Sequence, residues 1–287
     1  EREGYLARND AGVREGDEIS MFYDPMIAKL STWAKTREAA IDAMGRALED
    51  FHIEGLGHNV PFLAAVMDQE RFRSGKISTN YIKDEFPEGF HGTEPTAFQR
   101  DVLAAAACAM HRKITRRSAP NLAREDWVVV IGHEQTEVRV TNGGDDLSVA
   151  YVNEGRDVRL TGVDWRPGQP TLSGKLDGVP FTVQVRPAAA GFVIRHRAAQ
   201  ANVLVLTPRT AELHRKLPPK KAADTAKLII SPMPGLVVTL DVTLGQEVRA
   251  GEAVAVIEAM KMQNIIRADC DGTVKTIKAK AGHSAAA

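Results

Sequence analysis

Residues 253–262 read Ala253-Val254-Ala255-Val256-Ile257-Glu258-Ala259-Met260-Lys261-Met262. The first five alternate as a half-buried strand does. The lysine held between two methionines just beyond them predicts the tip of a β-hairpin. A lysine there projects clear of its own sheet on a flexible four-carbon stem, and its amine is a single addressable point for acylation. Two exposed methionines bring no solubility. As soft, adaptable side chains they suit docking against more than one partner.

Working outward, Ser231-Pro232-Met233-Pro234-Gly235 opens the module that ends in this hairpin. An internal repeat follows. Residues 235–245 (GLVVTLDVTLG) align with 272–282 (GTVKTIKAKAG) at an offset of 37 residues. Val237 answers to Val274, Leu240 to Ile277 and Val242 to Ala279, with glycine-marked turns and period-2 strands in both halves. The first half runs on through Val248 and Gly251 to the strand before Lys261, whereas the second stops at Ala287. The repeat therefore predicts a missing final strand, expected beside the lysine hairpin, in a natural chain that continues or whose closing alanines stand for other residues.

The string EAMKM resembles the biotin-attachment motif of the biotin-dependent carboxylases, and SPMPG is typical of the same family. The resemblance implies biotin on Lys261, with Glu258, Ala259, Met260 and Met262 as its motif. It also implies a flattened, quasi-two-fold β-barrel, the fold shared by biotinyl and lipoyl carriers. A lipoyl carrier would place Asp and Lys-Ala where this chain has Met-Lys-Met.

The chain has 287 residues, enough for two or three domains. Charge is balanced at 37 basic and 37 acidic residues, which argues against a nucleic-acid binder. The two cysteines, Cys108 and Cys270, suggest a reducing compartment without a disulfide framework. The longest apolar run, 102–110, is too short to span a membrane. The eight histidines are scattered, with no paired spacing that would hold a metal. The N-terminus lacks a signal core and an initiator methionine, and reads as the middle of a longer protein.

Residues 1–92 open with strand-like pieces, followed by a helix over 36–51 and another over about 60–70. The strings FYDPMIAKL (22–30), IEGLGHN (53–59) and GKISTNY (75–81) resemble the C-terminal part of a biotin carboxylase. GKISTNY, followed by FPEGF (86–90), is most similar to the propionyl-CoA carboxylases. The resemblance makes Arg8, sixteen residues before Asp24, a candidate for the arginine near the carboxylation site; a plain surface arginine is the alternative. No phosphate-covering loop is legible. The stretch 168–175 (GQPTLSGK) has one residue too many between its glycines and Leu176 where Ser or Thr would reach magnesium. It reads as a turn between strands.

Residues 93–116 read as one long helix, apolar around much of its circumference and therefore buried. Its basic end, His111 to Arg117, suits a helix C-terminus without any ligand. A polar loop over 118–126 follows, then seven or eight short strands with hairpin signals at 142–145 and 177–178. This predicts an antiparallel barrel wrapped on the helix. In the family this domain, called BT, docks the carboxyltransferase β subunit. Residues 216–227, rich in Pro, Ala and Lys, read as a semi-rigid linker.

The fold class expected is thus α+β multidomain. It comprises a carboxylase C-terminal fragment (1–92), a helix-in-barrel BT domain (93–215), a linker (216–227) and a flattened-barrel biotinyl domain (228–287) lacking its last strand. The resemblance implies the α subunit of an acyl-CoA carboxylase, a ligase. Biotin on Lys261 would be carboxylated with ATP, Mg and bicarbonate at a site mostly upstream. The β subunit would then pass the carboxyl to propionyl-CoA, giving methylmalonyl-CoA. The partners implied are that β subunit, in a hetero-oligomer, and a biotin protein ligase, with neither nucleic acid nor membrane. The location implied is the bacterial cytoplasm, or the mitochondrial matrix in a eukaryote. The alternatives are an acetyl- or methylcrotonyl-CoA carboxylase, and a non-catalytic biotin-carrying scaffold.

Overall fold

The structure is a computed structural model. It describes residues 6–19, 26–55, 57–118, 124–143, 146–218, 228–231, 235–259 and 262–285. The chain divides into two compact units, residues 1–8 with 30–218 and residues 9–29 with 219–287.

Strands β1 (Leu6–Ala11) and β2 (Ala28–Trp33) form a two-stranded sheet. Helix α1 (Arg37–Asp50) starts where Thr36 caps it, its Oγ1 accepting from the Ala39 amide at 3.2 Å. Helix α2 (Val60–Asp68) stops two residues earlier than the sequence pattern suggests. Gln69 is extended there, and a separate turn, α3 (Glu70–Arg73), begins after it. Helix α4 (Tyr81–Glu85) follows, and Phe62, Phe86 and Phe90 stack edge to face around it.

The central helix α5 (Ala97–Ser118) is 22 residues long, or about 33 Å. It starts at Ala97 because Thr96 and Gln99 form a reciprocal capping box. The Gln99 amide donates to Thr96 Oγ1, and the Thr96 amide donates to Gln99 Oε1. Residues 102–110 are all buried, on every face of the helix. Four consecutive alanines, 104–107, let strands approach closely on all sides.

The strands that do so are β3 (Asp126–Ile131), β4 (Glu134–Gly143), β5 (Asp146–Tyr151), β6 (Arg156–Asp164), β7 (Thr171–Leu176), β8 (Val179–Pro187), β9 (Phe192–His196) and β10 (Ala199–Leu206). They run as an antiparallel meander, and β10 pairs back onto β3 to close the barrel. Full closure leaves no sheet edge. Leu103 and Met110 of the helix pack with Val149, Leu160, Leu172, Val183 and Ile194 of the wall in one core.

Three expectations need correction here. The stretch 168–175 is a turn only at its start, where Gly168 has φ +99°; from Thr171 it is strand β7. Leu172 and Leu176 are buried in the core. Gly174 is a close-approach glycine rather than a breaker, since a Cβ there would lie 3.2 Å from the Thr161 carbonyl. The basic end of α5 is also more than a complement to the helix dipole. Lys113 Nζ donates to the carbonyls of Trp165 at 2.9 Å and Val163 at 3.4 Å, which pins the helix to the wall. The expected loop at 118–126 begins later than read, because α5 continues through Ser118; residues 119–123 lie outside the described residues.

Helix α6 (Pro208–Arg215) was not anticipated. Its signal is the pair Thr207-Pro208, an N-cap whose Oγ1 accepts from the Thr210 amide, followed by proline in the first turn. Ala211 is fully buried against Val128 and Val130 on the barrel's outer face. Of the expected linker, only residues 216–218 are described.

The carboxylase-like helices and the barrel share a core. Ala198, in the β9–β10 turn, packs with Leu48, Val60, Ala64 and Ala65. Gln184 of β8 donates to the carbonyls of Phe51 and Glu49, satisfying two of the carbonyls that a helix end leaves open.

The second unit holds β11 (Gly235–Leu240), β12 (Glu247–Val248), β13 (Ala253–Ala259), β14 (Met262–Arg267), β15 (Gly272–Thr273) and β16 (Ser284–Ala285). One sheet has the order β14-β13-β11-β16, and β12 pairs with β15 in the other. The 37-residue offset is written into the register. Gly235 pairs with Ala285 and Leu236 with Ser284, while Gly272 pairs with Val248 and Thr273 with Glu247. Adding 37 to β11 and subtracting it from β16 turns the first set into the second. The connecting hydrogen bonds obey the same rule. Gly245 N donates to Val274 O and Gly282 N to Val237 O; Val274 N donates to Gln246 O and Val237 N to His283 O.

Strand β13 is flanked by β11 on one side and β14 on the other, and β14, the second strand of the lysine hairpin, stands at the edge of its sheet.

Candidate functional site

The hairpin that carries the motif is built by β13 and β14. Its pairs run from Ala255↔Ile266 and Val256↔Ile265 through Ile257↔Asn264 and Glu258↔Gln263 to Ala259↔Met262. The connection is therefore the two residues 260 and 261. Met260 and Lys261 themselves lie outside the described residues, and of Ala259 and Met262 only the backbone is placed.

Both ends of the hairpin are held. At its base Gly251 N donates to Ala268 O at 2.8 Å, Ala268 N returns a bond to Glu252 O at 2.9 Å, and Arg267 Nη1 donates to Gly251 O. Near the tip, Ile257 is buried against Val237 of β11. Glu258 pairs with Leu236 on one side and Gln263 on the other. Side chains therefore alternate between the core and an outer face where Leu236 and Ile265 are exposed.

Sequence reading treated SPMPG and EAMKM as two separate strings. The structure brings their described ends together. A Cβ on Gly235 would stand 2.6 Å from the Glu258 carbonyl oxygen and 2.6 Å from Ile257 Cγ2. Only the absence of a side chain at 235 allows β11 to cross so close beneath the tip. The signal for this was the glycine itself, at a position where no turn is needed.

Arg8 lies exposed on β1, and Asp24, from which its spacing is counted, lies outside the described residues. Arg8 and the hairpin fall in different units.

A second concentration of charge, which sequence reading missed, lies where α1 meets the barrel. Glu49 is buried and accepts from Arg197 Nε at 2.8 Å and from the Thr182 amide at 3.3 Å. Arg197 also bonds Asp68, and Thr182 Oγ1 donates to Asp50 at 2.8 Å. Burial pushes the Glu49 pKa up and outweighs the opposing pull of Arg197. His196, 3.9 Å from Glu49, is pushed down to about 4 by burial and by the Arg197 charge. These groups face one another inside the seam between helices α1 and α2 and the barrel, and we read them as structural. Among the described residues no group of three or more His, Cys, Asp or Glu could hold a metal, and no helix is long and apolar enough to cross a membrane.

Comparison with known proteins covers nearly the whole chain. The biotin carboxylase C-terminal domain matches residues 1–84, the propionyl-coenzyme A carboxylase BT domain 103–220, and the domain described as biotin-requiring enzyme 227–287. The propionyl-CoA carboxylase alpha chain of Ruegeria pomeroyi is 47% identical over 97% of this chain and 42% of its own length. The mitochondrial propionyl-CoA carboxylase alpha chain of Mus musculus is 35% identical over 96% of this chain and 40% of its own. The mitochondrial methylcrotonoyl-CoA carboxylase subunit alpha of Dictyostelium discoideum is 26% identical over 94% and 41%. The chain thus spans about two fifths of the length of the curated relatives it matches. It belongs to the biotin-dependent carboxylase α chains, and carries in order their biotin carboxylase C-terminal domain, BT domain and biotin-bearing domain.

Proposed function

We propose that this chain is the carrier and docking part of a propionyl-CoA carboxylase α subunit, with biotin joined by an amide bond to Nζ of Lys261. The observation that carries the reading is the hairpin. Its register leaves a two-residue connection whose one amine-bearing side chain is Lys261, at the end of a hairpin held at its base and along β11. Higher identity to chains named for propionyl-CoA than to the methylcrotonoyl relative favours that substrate over its alternatives.

When bound, biotin would supply the ureido nitrogen that takes up a carboxyl from bicarbonate, at the expense of ATP with Mg, and yields it to propionyl-CoA on a carboxyltransferase β subunit. The residues of this chain hold, present and tether. The β13–β14 pairs hold the two strands that lead into the turn. The Lys-, Pro- and Ala-rich stretch 216–227 serves as the tether; a short linker of this kind keeps a carried group at an effective concentration of order millimolar near two sites. The barrel, closed on itself, offers its outer surface and loops to the β subunit. We divide the chain into these parts at 92/93, 215/216 and 227/228. Arg8 is assigned to the carboxylation site on its spacing to Asp24. The 47% relative comes from a bacterium, which supports a bacterial cytoplasm; a eukaryotic source would favour the mitochondrial matrix.

The modifying enzyme in this reading is a biotin protein ligase. A free lysine amine has a pKa near 10.4 and is mostly charged, so the ligase must bind it and take its proton. The test is intact mass after incubation with biotin, ATP and a biotin protein ligase. One biotin adduct, mapped to Lys261 and lost in Lys261→Arg, is the expected result. An adduct that persists on the variant sinks the assignment.

A further inference from the structure

We infer that Gly235 is a positioning residue for the modification of Lys261: the bare backbone at 235 sets the height of the hairpin tip. The inference rests on the reading of Lys261 as the acylated residue. Its own ground is the close crossing of β11 and β13. A Cβ at 235 would meet the Glu258 carbonyl oxygen at 2.6 Å, Ile257 Cγ2 at 2.6 Å and the Glu258 carbonyl carbon at 3.2 Å. Two of those three atoms are backbone and cannot swing aside. To reach ordinary contact, at 3.4 Å or beyond, β13 must lift by roughly 0.8 Å.

That lift has one direction in which to go. Ala253 to Ala268 is held at the hairpin base by the Gly251, Glu252 and Arg267 bonds. Gly235 itself is anchored on its other side by pairing with Ala285. The end away from those bonds is the one toward the turn, where Glu258 stands one residue before the paired Ala259. An alanine at 235 therefore tilts the tip while leaving the module's core, Val242, Val248, Val254 and Ala268, untouched.

For a reaction that needs the lysine amine aligned in a ligase site, a misplacement of about 1 Å costs up to roughly a hundredfold in rate. The experiment compares wild type, Gly235→Ala, Ile257→Ala and Val242→Ala in the full chain, with biotin, ATP and a biotin protein ligase. Acceptor KM and kcat are measured below the melting point of every variant. A displaced tip lowers kcat, because the docking surface still binds while the amine is misaligned. A merely unfolded fraction raises apparent KM and leaves kcat alone. Expected for Gly235→Ala is a fall in kcat of about tenfold or more with KM within about twofold, while Val242→Ala, a core truncation away from the crossing, keeps its kcat. Ile257→Ala acts on the same contact from the opposite side, letting β13 settle toward Gly235. It should also lower kcat, and it decides the matter if Gly235→Ala proves unfolded by circular dichroism.

An unchanged kcat in Gly235→Ala, or a change confined to KM that tracks melting temperature as in Val242→Ala, overturns the inference and leaves the Lys261 reading standing. A wild-type chain that takes no biotin on Lys261 overturns that reading, and the inference with it.

Discussion

Arg197 Nε donates to Glu49 Oε1 at 2.8 Å across 148 residues of sequence, joining the last turn of α1 to the β9–β10 turn of the barrel. Arg197 sits in that turn with φ +56°, a conformation residues other than glycine seldom adopt. Its guanidinium lies over Gly45 of α1, where a Cβ would touch it at 3.4 Å. Burial opposes its charge, but Asp68 and Glu49 outweigh that and raise its pKa. Arg197→Met should therefore destabilise the first unit by about 3 kcal/mol, since it strands a buried carboxylate. The double variant Glu49→Leu/Arg197→Met should recover much of the loss. Urea denaturation of the four species gives the coupling, and a single variant costing under about 0.5 kcal/mol would show the pair to be idle.

His196 makes the same seam sensitive to acid. Its Nδ1 is buried without a partner, and the rings of Phe98 and Phe181 lie 6.3 Å away. The folded-state pKa of about 4 lies below the ordinary 6.5. The unfolded chain thus binds the proton first, and stability is lost as pH falls from 6.5 toward 4. The slope approaches about 1.4 kcal/mol per pH unit, for a total on the order of 3 kcal/mol. Glu49 acts in the opposite sense. Its raised pKa means its contribution is present below 4.5 and lost as pH rises through the folded value. His196→Gln should flatten the stability profile between pH 6.5 and 4, and Glu49→Gln should steepen it. Parallel profiles for wild type and His196→Gln would refute the assignment.

The elements legible in the sequence are those whose pattern is local. The all-round apolarity of 102–110 announces a wrapped helix, and period-2 runs announce seven of the eight wall strands. The 37-residue repeat anticipates the reciprocal bonds of Gly245 and Gly282. The strand β7 escaped because Gly168, Pro170 and Gly174 look alike in a sequence, although only Gly168 turns the chain while Gly174 makes room for Thr161. Helix α6 escaped because its eight residues bury one side chain, Ala211, and leave almost no apolar stripe. The Glu49–Arg197 pair is a product of the fold that no local pattern encodes, and the Gly235–Glu258 approach left only the glycine itself as its trace in the sequence.

The two cysteines should differ sharply. Cys108 is buried among α5 and the barrel wall, and burial alone pushes its thiol up to about 12. Cys270 is exposed. The thiolate is the reactive form, so Ellman's reagent should titrate one thiol in the native protein and two in guanidinium. Fast reaction of both in the native state would mean that the barrel opens around its helix.

The repeat makes a sharper demand on two glycines. Gly245 (φ +85°) and Gly282 (φ +83°) occupy equivalent turns, and each donates its amide to a partner-half carbonyl at 2.8 Å, Gly245 to Val274 and Gly282 to Val237. No heavy atom stands within 4 Å of a Cβ at either position. An alanine at either site therefore costs only its backbone strain, about 1–2 kcal/mol for a left-handed residue with a Cβ. Gly245→Ala and Gly282→Ala should destabilise the second unit by equal amounts, within about 0.5 kcal/mol, and neither should alter kcat for biotin transfer to Lys261, any unfolded fraction showing only in apparent KM. The contrast with Gly235 is the point of the measurement: there the strain is absent and the obstruction is steric. If Gly245→Ala and Gly282→Ala differ by more than 1 kcal/mol in denaturant, the two halves do not share the load that their hydrogen bonds imply.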